Sequence, residues 1–299
     1  MKDTASPKPR PFLDEGVRAA EHHSSVRSGD LVTPEPYPRE DHAADGIDIL
    51  VIPDSHANPG CDNRRYEWLG RFAADHRPAV ILDIGDWFDM HSLNSFDSKG
   101  SKAFQGASYW ADIDAGIDAR LRFQGQIDAY NRTRRKDDRY HPRKVFCWGN
   151  HEYRQAKFLN DEPRFDGILG PQDFQSEALG WEEYPFLEPV EIAGITFAHY
   201  HVSGVRSMPV SGIHQAASLV QKQLKSCVMG HTHTADFSIR GGPDHVFGLV
   251  VGVYTEERFD YAGPANDLWW RGVCLLRNAR EGRYDLEMWS IDRIKARYG

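Results

Sequence analysis

Apolar residues in this chain gather into short, nearly unbroken runs. The first, Ile47–Ile52, reads Ile-Asp-Ile-Leu-Val-Ile, the pattern of a strand buried on both faces. Similar runs recur at 79–84, 144–148, 195–198 and 226–229. Between them lie helical stretches, the clearest starting near Ser108 and placing Trp110, Ile113, Ile117, Leu121 and Ile127 at roughly helical spacing. Alternation of strand and helix predicts a layered α/β architecture. After His233 the runs at 237–239, 246–253, 272–276 and 284–289 are strand-like with little helix between them, which predicts a mostly antiparallel second sheet.

Ahead of Ile47 the pattern is different. Pro7, Pro9, Pro11, Pro34, Pro36 and Pro38 interrupt any helix or strand, so residues 1–46 read as an extended Pro-rich arm and 47–299 as one domain. The adjacent His22 and His23 lack carboxylate or cysteine company and receive no role. Residues 91–110 and 157–188 read as loops facing a substrate.

Composition narrows the class. Of 299 residues, 40% are hydrophobic and 27% charged, which suits a folded globular chain rather than a disordered one. No apolar run reaches the roughly 20 residues of a membrane-spanning helix, and no secretory signal opens the chain, so a cytoplasmic protein is expected. Cys61, Cys147, Cys227 and Cys274 form no C-x-x-C pair and read as reduced thiols. The net charge of −8 argues against non-specific coating of nucleic acid. A basic run over 132–144 precedes the strand at 144–148, at its entry end, where cations complement a helix C-terminus. Trp269 and Trp270 are expected to pack in the core of the second sheet, with subunit contact as the alternative.

Each of the first five runs ends in residues of metal-ligand type: Asp54-Ser55-His56, Gly85-Asp86-Trp87-Phe88-Asp89, Gly149-Asn150-His151-Glu152, His199-Tyr200-His201 and Gly230-His231-Thr232-His233. Strand exit ends in open α/β sheets line one crevice, so groups far apart in sequence are expected to converge there. Carboxylates, imidazoles and an amide make a mixed oxygen and nitrogen set suited to manganese, iron, zinc or nickel rather than calcium.

This order, D-x-H, G-D-x-x-D, G-N-H-E, H, G-H-x-H, resembles the calcineurin-like metallophosphoesterases, with all five blocks present between Asp54 and His233. The resemblance implies a β-sandwich flanked by helices, with two divalent ions at the strand C-terminal ends. Manganese is the first choice, with iron, zinc, nickel or magnesium as alternatives. It assigns Asp54, His56 and His233 to one ion, Asn150, His199 and His231 to the other, and Asp86 to both. His151 becomes the group that protonates the departing oxygen or stabilises phosphoryl charge, and Asp89 the carboxylate that holds its ring. His199 and His201 both follow the fourth strand and either can reach a metal; His199 is preferred because it comes directly at the end of the run, which leaves His201 behind the ligands, against the substrate or simply solvated.

Met90 and His91 stand where serine/threonine protein phosphatases of the superfamily continue with arginine and glycine, so that branch is not indicated. The loop that follows carries Lys99 and Lys102 and is expected to set substrate choice, with Lys99 a candidate substrate contact, and Arg154 after the third block and Arg206 after the fourth are candidate phosphate or leaving-group contacts. The expected activity is hydrolysis of a phosphodiester, in a nucleotide or nucleic acid, by water activated between the two ions. A phosphomonoesterase is the alternative, and a non-catalytic scaffold of the same fold a third reading that the complete ligand set disfavours. No membrane partner is expected, and the oligomeric state is not indicated.

Overall fold

The computed structural model describes residues 46–95, 104–242 and 244–299. The expected arm therefore lies outside the described residues apart from Gly46, as do Lys99 and Lys102.

Six strands form one sheet in the order β13-β12-β1-β2-β3-β4: Arg283–Ser290, Gly272–Arg280, Ile47–Ile52, Val80–Asp83, Arg143–Cys147 and Glu182–Tyr184. β1, β2, β3 and β4 run parallel, while β12 is antiparallel to β1 and β13 to β12. A second sheet of five strands has the order β10-β11-β9-β6-β5: Ala235–Arg240, Val246–Val251, Cys227–Met229, Ile195–Phe197 and Val190–Ile192. Val202–Ser203 (β7) and Met208–Pro209 (β8) pair as a small hairpin.

Side-chain alternation along the central strands sorts the core into layers. One face of the first sheet, with Leu50, Ile52, Ile81, Phe146 and Leu275, packs against helices α1 (Arg64–His76) and α2 (Tyr109–Arg132). The other face, with Ile49, Val51, Leu82, Val145 and Leu276, packs against Phe197, Val228, Leu249 and Val251 of the second sheet. Beyond that sheet, Cys227, Met229 and Val250 meet Ala216 and Leu219 of a further helix, Gln215–Gln223. The order is helix, sheet, sheet, helix. α2 begins where expected, with the Ser108 side chain accepting from the Ala111 N–H at 3.4 Å.

The last four strands depart from expectation. They do not make an antiparallel sheet of their own: β10 and β11 join β9 in the second sheet, while β12 and β13 extend the edge of the first. The second sheet is mixed, since β11 and β6 both run parallel to β9. Periodicity marks a strand, but pairing partners are set by which edges remain open once the parallel strands are in place. In the basic run, Arg143 pairs with Glu182 at 3.0 Å, and the buried Lys144 donates to the Leu179 carbonyl at 2.6 Å and to Gln124 at 2.7 Å.

Candidate metal centre

β1, β2 and β3 deliver their exit ends side by side, and β6 and β9 deliver theirs from the facing sheet. The ladder continues past the strands: the Ser55 and His56 amides donate to the Asp86 carbonyl at 3.1 and 2.9 Å, and Gly230 N–H to the His199 carbonyl at 2.9 Å. His56, Asp86, His231 and His233 all adopt positive φ, between 47° and 69°. Non-glycine residues rarely hold that conformation, and here it turns four polar side chains toward one point.

Three overlapping groups result, within each of which the ligand-type atoms lie within 4.8 Å of one another: Asp54, His56 and His233; Asp86, His199 and His231; and His56, Asp86 and His151. In the first, His56 Nε2 is 3.0 Å from His233 Nε2, which is 3.1 Å from Asp54 Oδ2. In the second, His199 Nε2 lies 2.9 Å from Asn150 Oδ1, 3.2 Å from His231 Nδ1 and 3.4 Å from Asp86 Oδ2. His199 Nδ1 faces the Ile84 carbonyl at 3.2 Å, so it carries the proton and Nε2 presents a lone pair. A bare nitrogen surrounded by an amide oxygen, a carboxylate and a second imidazole is a donor set for a divalent cation, and the residues fit one.

Asp89 lies behind the first group. Its Oδ1 is 3.2 Å from His56 Nδ1 and 3.1 Å from His151 Nδ1, which also lies 2.6 Å from the Asp89 carbonyl. Arg154 completes the arrangement, donating from Nη2 to His151 Nε2 at 2.9 Å and from Nη1 to the Asp89 carbonyl at 2.9 Å. An arginine cannot accept, so His151 Nε2 carries the lone pair.

Charge follows from this packing. Burial opposes ionisation of Asp54, but His199 and His233 outweigh it and hold the carboxyl well below its usual range. Asp86 is likewise held down, against burial, by His151 and His199, and Asp89 by its contacts with His151 and His56. Burial, reinforced by the neighbouring His199, pushes His231 down to about 4, so its ring is neutral and able to bind a metal at ordinary pH.

His201 and Arg206 are not brought in. The His201 ring is buried but faces the Val228 carbonyl at 3.3 Å, because β6 ends at Phe197 and strand alternation no longer governs the turn. Arg206 is exposed on the β7–β8 hairpin. Trp269 differs from the core reading: it is half-buried and meets the His233 ring edge to face at 4.3 Å. Trp270 is partly buried against the intersheet core.

Glu152 had no role assigned from sequence, although it completes the G-N-H-E block. It is fully buried, and its carboxylate accepts from the amides of Asp86 at 3.0 Å, Phe88 at 2.8 Å and Gly149 at 2.8 Å. It therefore stitches the loop after β2 to the loop after β3. Burial and the nearby Asp86 push this carboxyl up to about 7.

The model of the calcineurin-like phosphoesterase family matches residues 47–283. The chain belongs to that family, whose members use divalent metal ions. Among solved structures it is similar to YfcE, a phosphoesterase from E. coli, at 11% identity and a TM-score of 0.37, covering 82% of this chain and 100% of that one. It is also similar to TT1561 of Thermus thermophilus, at 11% identity and a TM-score of 0.33, covering 82% and 99%. Comparison with curated proteins finds no match. Among the described residues, no helix is long and apolar enough to cross a membrane.

Proposed function

We propose that this chain hydrolyses a phosphodiester at a binuclear metal centre. Asp54, His56 and His233 would hold one ion and Asn150, His199 and His231 the other, with Asp86 able to contribute to either, and manganese would be the first choice for this mixed donor set. The observation that carries this reading is the overlap of the ligand groups: Asp86 belongs to one with His199 and His231 and to another with His56. Divalent ions held there would supply Lewis-acid stabilisation of the phosphate charge and would activate a water for attack.

The protein's own groups do the rest. Asp89 and the Ile84 carbonyl fix the rings of His56 and His199 with their Nε2 atoms facing the cluster. His151 is held at Nδ1 by Asp89. A bound phosphate competes for Arg154, which frees His151 Nε2 to carry the proton taken by the departing oxygen. Water adds to phosphorus, one ester bond breaks, and the products are an alcohol and a phosphomonoester. Arg154 provides a fixed positive group, which suits the single negative charge of a diester. The four cysteines are free and three are buried, which supports a reducing, cytoplasmic setting.

The test strips the protein with a chelator, adds manganese, zinc, nickel or magnesium singly, and compares bis-p-nitrophenyl phosphate with p-nitrophenyl phosphate. The expected result is about two metals per chain and preferred diester turnover. Asp86→Asn should lower metal content, and His151→Ala should slow turnover about 100-fold or more with metal retained. Monoester preference would replace the diester reading, and failure of every metal with both esters would remove catalysis.

A further inference from the structure

Half-buried aromatic rings stand on two sides of the ligand cluster, and the hydrolytic roles above use none of them. On one side Tyr200 lies 4.8 Å from the His231 ring and 5.8 Å from that of His199. Phe186 backs it at 5.4 Å and stacks on Tyr153 at 4.7 Å. On the other side Trp269 touches His233, Phe259 lies 5.6 Å from the His56 ring, and these two aromatics are 5.9 Å apart. Each set thus borders the histidines of a different ligand group.

Phe186 and Tyr200 also pack against the core, yet both remain partly exposed beside the cluster. Trp87, Phe88, Phe146 and Phe174 in the helix-side core are fully buried, while Trp110 and Phe158 pack partly exposed against it, away from the cluster's ring contacts. Tyr153, Phe186, Tyr200, Phe259 and Trp269 keep part of their surface open beside a polar cluster, where a planar ligand would cover it. Beyond Trp269 lies a cavity of about 340 Å³ whose walls include Trp270 and Arg271. Trp269, which meets His233, is also one of its lining residues.

We infer that these two walls are subsites for the two organic groups of the substrate diester, each carrying a planar aromatic ring, so the substrate class is a small dinucleoside-type phosphodiester. The inference rests on the hydrolase reading above and names its substrate. Stacking suits this task because every base presents a π-face, which makes the site tolerant of sequence. A long polynucleotide fits less well, since its affinity comes mostly from cationic contacts and the chain carries a net charge of −8.

Two measurements test it. In the first, metal-free protein is titrated calorimetrically with a dithymidine methylphosphonate, a neutral analogue without the phosphate charge, so that binding reports the rings and not the metals. Tyr200→Leu and Trp269→Leu should each weaken it about tenfold, and Tyr200→Phe and Trp269→Phe should restore it. In the second, manganese-loaded protein is given thymidine 5′-(p-nitrophenyl phosphate) and methyl p-nitrophenyl phosphate, which share a leaving group. The expected kcat/KM ratio favours the thymidine ester about tenfold and falls toward one in at least one of the two leucine variants.

Rings with a purely structural role would slow both esters in step and leave the ratio unchanged, which overturns the inference, as does a wild-type ratio near one or no binding of the analogue. Turnover of the methyl ester without thymidine preference leaves the hydrolase reading standing and removes only the substrate class. Absence of turnover with both esters removes the hydrolase reading itself.

Discussion

Gly149 and Gly230 precede proposed ligand residues, Asn150 and His231, at places where a methyl group has no room. A Cβ at Gly149 would lie 2.0 Å from Asp86 Oδ1, and one at Gly230 would lie 2.2 Å from Asp54 Oδ1. Those oxygens also hold backbone: Asp86 Oδ1 accepts from His151 N–H at 2.9 Å and Asp54 Oδ1 from His231 N–H at 3.0 Å. Gly149→Ala and Gly230→Ala should each displace a carboxylate, lower metal content and cost about 1–3 kcal/mol in stability. Elemental analysis together with thermal denaturation checks this, and unchanged metal content in both variants would contradict the placement of the carboxylates. The spacing G-N-H and G-H-x-H was legible in the sequence, but the reason for each glycine was not. It depends on side chains from distant parts of the chain.

At the scale of elements, β3 carries a contradiction that pH can expose. Lys144 points toward the helix side, and burial, with Arg120 nearby, lowers its pKa to about 8. Below pH 8 the native state must hold a charged ammonium away from water. Between pH 8 and about 10.5 the native amine is neutral while the unfolded one still binds a proton, so this group makes stability rise with pH across that window. Buried cysteines and tyrosines such as Cys274 and Tyr254, whose pKa values are raised by burial, act in the opposite direction at alkaline pH. A comparison with Lys144→Met cancels them. The stability of the wild type relative to this variant should increase from pH 8 to 10 by on the order of 2 kcal/mol, read from urea denaturation at each pH. A difference that stays flat with pH would show that Lys144 is not buried as a charge. The sequence placed these cations at the strand's entry end, but it could not show that Lys144 is enclosed, because that depends on Gln124 and Leu179 from other segments.

For the molecule as a whole, the C-terminal hairpin and helix close one edge of the first sheet. Helix Ile291–Tyr298, capped by the Ser290 side chain, buries Ile291 and Ile294 in the helix-side core, and Arg293 lies 3.5 Å from the centre of the Trp289 ring. Removing residues 291–299 should cost roughly 3–6 kcal/mol, the worth of two buried isoleucines, and lower the unfolding midpoint in urea accordingly. An unchanged midpoint would mean that this helix is not part of the cooperative unit.

Sequence alone determined the elements that depend on local pattern. The five apolar runs appear as strands, the Ser108 cap starts the helix, and the polar blocks that follow the runs carry the family signature, because strand periodicity and turn chemistry are properties of neighbouring residues. Tertiary structure decided the rest. It divided the last four strands between two sheets, since the open edges they join exist only after β1 is paired with β2 and β9 with β6. It gave His56, Asp86, His231 and His233 their left-handed backbone and turned His201 toward the Val228 carbonyl, because those conformations are held by contacts with segments far away in the chain, such as Asp86 for His56, Glu152 for Asp86 and Asp54 for His231. It set Trp269 and Phe259 beside the histidines that follow β1 and β9, as proximity between residues so far apart in the chain is a consequence of the fold and not of local pattern.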